Sequence, residues 1–192
     1  HAGEEGIEHF HPIVCDLLNT EQLIAQIKEI RAGSRVETLI NNAGIGYYGL
    51  HEELNPYKIQ KMVRTNLEVP MILTNLLLRD LKKNEGNIIN ISSVTAQKSN
   101  PHGCAYGATK AGLSSFSQSL FDEARKYGVR VTAIQPDMTK TNLYRHADFK
   151  EADAPDTYLA PEEVAEAVRF ILSRRKGSNI TELTLTPQKH RI

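Results

Sequence analysis

Tyr106-Gly107-Ala108-Thr109-Lys110 places a phenol and an ammonium four residues apart. In a helix that spacing sets both side chains on one face, close enough for their charges to couple. A free phenol ionises near pH ~10, and a neighbouring cation favours the phenolate. Lys110 is therefore expected to draw Tyr106 toward proton exchange. Upstream, Ser93 closes the run Asn90-Ile91-Ser92-Ser93, at the carboxyl end of a predicted strand. Open α/β sheets hold their ligands at such ends, so the Ser93 hydroxyl is placed to hydrogen-bond a substrate oxygen.

The elements that must position these residues alternate along the chain. Short runs rich in Val, Ile, Leu or Thr predict strands over Phe10–Cys15, Val36–Asn41, Asn87–Ile91, Val129–Gln135 and Ile180–Thr186. Longer amphipathic stretches near Thr20–Ala32, Pro56–Lys83, Cys104–Tyr127 and Pro161–Ser173 predict helices between them. Parallel strands joined by crossover helices give this pattern, and the class is α/β. Asn19-Thr20-Glu21 and Asn55-Pro56 are helix entry signals, Pro161-Glu162-Glu163 suits a first turn, and Gly128 suits a C-terminal cap. Pro70, inside the second helix, predicts a kink.

Bulk properties narrow the function classes. The 192 residues include 40% hydrophobic ones, enough for the core of one domain, and no linker or repeat divides residues 1–192. Lysine plus arginine and aspartate plus glutamate both number 23, so no broad positive field attracts nucleic acid. Cys15 and Cys104 stand apart, without metal-ligand spacing, which suits a reducing, cytoplasmic setting. Apolar runs such as Met71–Leu73 and Leu76–Leu78 are too short to span a membrane, and the first residues do not read as a signal peptide.

Taken together, Asn90-Ile91-Ser92-Ser93 and Tyr106-x-x-x-Lys110 resemble the active site of the short-chain dehydrogenase/reductase family. The resemblance extends to Asn41-Asn42-Ala43-Gly44, Thr65-Asn66-Leu67, and Gln135-Pro136-Asp137-Met138-Thr139-Lys140-Thr141. It implies a Rossmann-like, doubly wound parallel sheet in three α/β/α layers. It further implies an NAD(P)-dependent oxidoreductase that interconverts a secondary alcohol and a carbonyl. Tyr106 would be the acid/base, Lys110 would lower its pKa and hold the nicotinamide ribose, Ser93 would orient the substrate carbonyl, and Asn66 would anchor a water relay. For the cofactor it implies Asp16 and Leu17 beside the adenine, and Asn42, Ala43 and Gly44 along the adenine ribose. Pro136, Thr139 and Thr141 belong to its loop over the nicotinamide, the two threonines as carboxamide and phosphate contacts. The cofactor is NAD or NADP, with a lean to NADP. The partners implied are a small alcohol or carbonyl substrate and further copies of the chain, as homodimer or homotetramer. The segment Asn142–Ala160, with Tyr144, Phe149, Tyr158 and Leu159 among charged residues, resembles the substrate lid and does not select a substrate.

Two departures stand out. The glycine-rich turn that lets a pyrophosphate approach a helix N-terminus has no counterpart, and Gly44-Ile45-Gly46 lacks the third glycine. Gly3–Glu8 reads as the tail of the family's second helix, which puts the first strand, first helix and second strand outside the sequence. In the family's strand order 3-2-1-4-5-6-7 their removal leaves two unpaired edges, so a longer molecule is expected. Asp137 replaces the glycine usual after Pro136, with an effect on loop shape or cofactor affinity. A reading from another class also stands: a non-catalytic or truncated member acting as oligomeric scaffold or ligand-sensing module.

Other features have plain explanations. His1, His9 and His11 have no carboxylate or cysteine in metal-site register, so no metal is expected. Cys104 and His102 lack the base and orienting partner of an activated nucleophile. Asn90-Ile91-Ser92 and Asn179-Ile180-Thr181 match glycosylation sequons but fall in or at predicted buried strands. Arg174-Arg175-Lys176 suits the C-terminal end of a helix dipole.

Overall fold

The computed structural model describes residues 10–144 and 154–189. Its frame is one four-stranded parallel sheet in the order β1-β2-β3-β4, with β1 at Thr38–Asn41, β2 at Asn87–Ile91, β3 at Arg130–Pro136 and β4 at Glu182–Leu185. The helices are α1 (Thr20–Gly33), α2 (Pro56–Val63), α3 (Val69–Asn84), α4 (Cys104–Ala124) and α5 (Pro161–Leu172). The α/β reading holds, and the order matches the 4-5-6-7 half of the sheet that the resemblance implies.

Alternation along the strands divides the core between two faces. Leu39, Ile88 and Val131 turn to one side and pack with Leu23 and Ile27 of α1, Leu77 and Leu81 of α3, and Leu120 and Ala124 of α4. Ile89 and Ile134 turn to the other and meet Ala167 and Ile171 of α5. Each of these leucine, isoleucine and valine side chains contributes roughly 2 kcal/mol by leaving water. Ile40, on the α5 side of edge strand β1, remains 43% exposed.

Local signals act as the sequence suggests. Asn19 Oδ1 accepts from Gln22 N at 3.0 Å and Asn55 Oδ1 from Tyr57 N at 2.9 Å. Gly128 ends the turn after α4 at φ +75°, a conformation that favours glycine.

Two expectations need correction. Phe10–Cys15 is not a strand. A strand exists only with a ladder partner, and among the described residues none pairs with this run; Val14 is 96% exposed. Instead the segment leads to a turn in which Asp16 O accepts from Asn19 N at 3.0 Å. The Pro56–Lys83 helix is divided upstream of Pro70, by a π-helical stretch at Arg64–Glu68. Pro70 has no N–H to return to the Asn66 carbonyl, and the ladder widens there, Val69 N bonding to Arg64 O.

A buried polar chain ties the sheet to α4. Asn41 Nδ2 donates to Asn90 Oδ1 at 2.7 Å, Asn90 Nδ2 to Ser117 Oγ at 2.8 Å, and Ser117 Oγ to Leu113 O at 2.7 Å. Asn90→Ala leaves Asn41 and Ser117 without this buried partner, and urea unfolding should show a loss of roughly 2–4 kcal/mol. A loss below about 0.5 kcal/mol, the scale of a neutral surface change, would contradict the role given to this chain.

Candidate active site

The loops after β1, β2 and β3 converge at the carboxyl edge of the sheet, where the first turns of α4 face them. With α5 they border an open cavity of about 730 Å³. Ser93, Tyr106 and Lys110 line it, as do Asn42, Ala43 and Gly44 from the loop after β1. Pro136, Thr139 and Thr141 border it from the loop after β3. Asn66 stands beside them: a Cβ built on Gly44 would lie 3.7 Å from Asn66 Oδ1 and 3.5 Å from Lys110 Nζ. Three residues of the expected catalytic set thus line one cavity, and the fourth, Asn66, lies beside Gly44 at its border. Asp16 and Leu17 do not line it; Leu17 packs against the core under α1, and Asp16 Oδ1 accepts from Leu18 N at 3.0 Å.

Each side chain is fixed by its own contacts. Lys110 is buried within α4, and its Nζ donates to Ile91 O at 2.8 Å. Ser92 Oγ donates to Lys110 O and meets Ser114 Oγ, both at 2.9 Å, locking α4 against the end of β2. Asn66, within the π-helical stretch, brackets Ile45: its Oδ1 accepts from Ile45 N at 2.9 Å and its Nδ2 donates to Ile45 O at 2.8 Å. The same Nδ2 reaches Thr109 Oγ1 at 3.1 Å.

Burial dominates the electrostatics. Tyr106 is 3% exposed, and its phenol is pushed well above the ordinary range, first by desolvation and then by the charge of Tyr144; a hydrogen bond with Ser93 opposes both. Desolvation also lowers Lys110 to about 8. Burial therefore outweighs the lowering that a neighbouring lysine is expected to bring. The ammonium is 5.7 Å from the phenol ring centroid and is directed to a carbonyl. Tyr106 is held protonated, the form that can give a proton.

The groups bordering the cavity fit a nicotinamide nucleotide. Thr139 Oγ1 spends its proton on Asp137 O at 2.9 Å and keeps lone pairs to accept an amide N–H. Thr141 Oγ1 accepts from Leu143 N at 3.3 Å and keeps its own proton for a phosphate oxygen. Lys110 adds ammonium N–H groups for ribose hydroxyls. Asp137, the departure from the family pattern, also lines the cavity, and its Oδ1 accepts from Met138 N at 2.8 Å.

Sequence reasoning missed Ser114 and Ser117, although hydroxyls at 114 and 117 continue the buried face that Lys110 begins. It also missed Tyr48, whose ring centroid lies 5.6 Å from that of Tyr106. Among the described residues no group of His, Cys, Asp or Glu could hold a metal ion; His1, His9, Phe149 and Gly3–Glu8 lie outside them. Among those residues, too, no helix is long and apolar enough to cross a membrane.

The geometry agrees with comparisons to known proteins. The chain is 32% identical over 182 residues to the 3-oxoacyl-[acyl-carrier-protein] reductase FabG of Rickettsia bellii, across 90% of this chain and 73% of that protein. It is 36% identical over 186 residues to dehydrogenase/reductase SDR family member 7B of Xenopus laevis, across 92% of this chain and 58% of that protein. The structure of ElxO with NADP bound superposes with a TM-score of 0.77 at 26% identity, across 88% of this chain and 74% of that one. The family model described as short chain dehydrogenase matches residues 1–152. This chain belongs to the short-chain dehydrogenase family.

Proposed function

We propose that the protein is an NAD(P)-dependent oxidoreductase that interconverts a secondary alcohol and a carbonyl, with Tyr106 as acid/base. The observation that carries the reading is that Ser93, Tyr106 and Lys110 line one cavity, with Asn66 beside its Gly44 border, and that the rest of the lining suits a nicotinamide. The names of its relatives, a reductase and a dehydrogenase/reductase, and the NADP in ElxO, support the same chemistry. The bound nicotinamide would supply the hydride or accept it.

The chain's own residues do the rest. Ser93 and Tyr106 present hydroxyls to the substrate oxygen; as that oxygen gains charge, the buried phenol donates its proton. Lys110 holds the ribose, and its charge steadies the phenolate that is left. Asn66 keeps the neighbouring loop in register and anchors the route by which the proton is replaced. Asn42, Ala43, Gly44 and Pro136 shape the cofactor's bed, Thr139 takes its carboxamide and Thr141 its phosphate, with Asp16 and Leu17 toward the adenine. NADP is the favoured nucleotide, in line with ElxO. A single Rossmann domain, cytoplasmic and assembled as homodimer or homotetramer, completes the reading; light scattering from a monomer would count against the assembly.

Tyr106→Phe removes the proton donor while sparing the nucleotide contacts. Its turnover should fall by about 10³-fold, within the range of general acid catalysis, with nucleotide affinity retained. Unchanged turnover would overturn the mechanism. Lys110 supplies a pH test. Its folded pKa of about 8 lies below its ordinary 10.5, so the folded state loses a proton that the unfolded state still holds between those values. Stability relative to Lys110→Met should rise as pH climbs through that window, by no more than about 3 kcal/mol, and stay level below it. Chemical denaturation at several pH values measures the difference, and a flat difference would contradict a buried Lys110.

A further inference from the structure

Tyr48 lies between two other tyrosines. Its ring centroid is 5.6 Å from Tyr106 and 6.0 Å from Tyr144, with the planes tilted by 48° and 34°. The loop after β1, helix α4 and the loop after β3 therefore meet through this one side chain. Tyr48 does not line the cavity, so it acts on the site through its neighbours.

The surroundings show that the ring's position is built into the loop. A methyl on Gly46 would lie 2.7 Å from Tyr48 Cε2 and 2.8 Å from its hydroxyl, so a Cβ there would push the ring from its place. On either side the backbone is anchored: Asn66 bonds both the N–H and the carbonyl of Ile45, and Tyr47 N donates to Met62 Sδ at 3.3 Å. Asn66 thus also tethers the segment that carries Tyr48.

We propose that Tyr48 is a positioning residue for the proton donor: its ring braces the Tyr106 phenol and shuts water away from it. The proposal rests on the reading of Tyr106 as the acid. Among the described residues, four groups face that phenol. Lys110 lies on its own helix, Ser93 reaches it from the end of β2, Tyr144 from the loop after β3 and Tyr48 from the loop after β1. Burial outweighs the charged and hydrogen-bonding neighbours in keeping the proton on Tyr106, and the ring of Tyr48 supplies part of that cover. Take the ring away and water reaches the phenol, whose ionisation returns toward the ordinary pH of ~10.

The chain has seven tyrosines and no tryptophan, so tyrosinate absorbance reads the phenols directly. In Tyr48→Ala, one further tyrosine should ionise near pH ~10, and that signal should vanish in the double variant with Tyr106→Phe. Carbonyl turnover should fall about tenfold, equal to ~1.4 kcal/mol in the barrier, with nicotinamide affinity kept. Gly46→Ala retains Tyr48 but pushes its ring aside, and should free Tyr106 likewise, read as the part of the titration near pH ~10 that is lost when Tyr106→Phe is added, which keeps the test open if Tyr48→Ala does not fold. Tyr48→Phe keeps the ring and should restore the wild-type titration of Tyr106. Identical ionisation of Tyr106 in wild type, Tyr48→Ala and Gly46→Ala would overturn the proposal. Failure of the underlying reading has a separate signature, full turnover in Tyr106→Phe, which leaves the titration of Tyr106 in the Tyr48 variants to be judged on its own.

Discussion

Helix α4 is held to strand β2 by polar contacts as well as by apolar packing, and the rest of the site depends on that seam. Lys110 Nζ reaches back to Ile91 O, Ser92 Oγ to Lys110 O and Ser114, and Asn90 to Ser117. Each partner is out of water, so a slip of the helix by one residue would leave several buried groups without hydrogen bonds. Apolar surfaces tolerate sliding; this seam does not. Ser93 just beyond β2 and Tyr106 in α4 are consequently fixed relative to each other, the preorganisation that the proposed acid catalysis would use.

The same burial sets the charges. It keeps the proton on Tyr106 and brings Lys110 to about 8, so that the lysine is largely charged at neutral pH and readily altered by what binds beside it. Viewed from the sequence, the lysine should dominate the tyrosine. In the folded protein both groups share one desolvated environment, which raises the acid and lowers the base.

Much of this was legible in the residues. The bounds of β2 agree with the hydrophobic run, and Ser93, Tyr106 and Lys110, singled out by residue type and spacing, do line one cavity in the fold. What escaped the sequence was what depends on distant partners. Phe10–Cys15 has strand composition but no ladder neighbour among the described residues. Pro70 announced a disturbance, but the position of the π-helical stretch at Arg64–Glu68 depends on how the helix ladder rearranges around the missing N–H. Tyr48 looked like one aromatic among several; the fold brings it against Tyr106 and sets its ring over Gly46.

The central claim is that this cavity reduces a carbonyl with a hydride from a nicotinamide and a proton from Tyr106. Incubating the protein with reduced nicotinamide nucleotide deuterated at the transferred position and a panel of ketones, followed by mass spectrometry of the products, tests it most directly. The account predicts a secondary alcohol with deuterium on the former carbonyl carbon and solvent hydrogen on its oxygen. Nucleotide binding with no labelled alcohol from any ketone of the panel would contradict it.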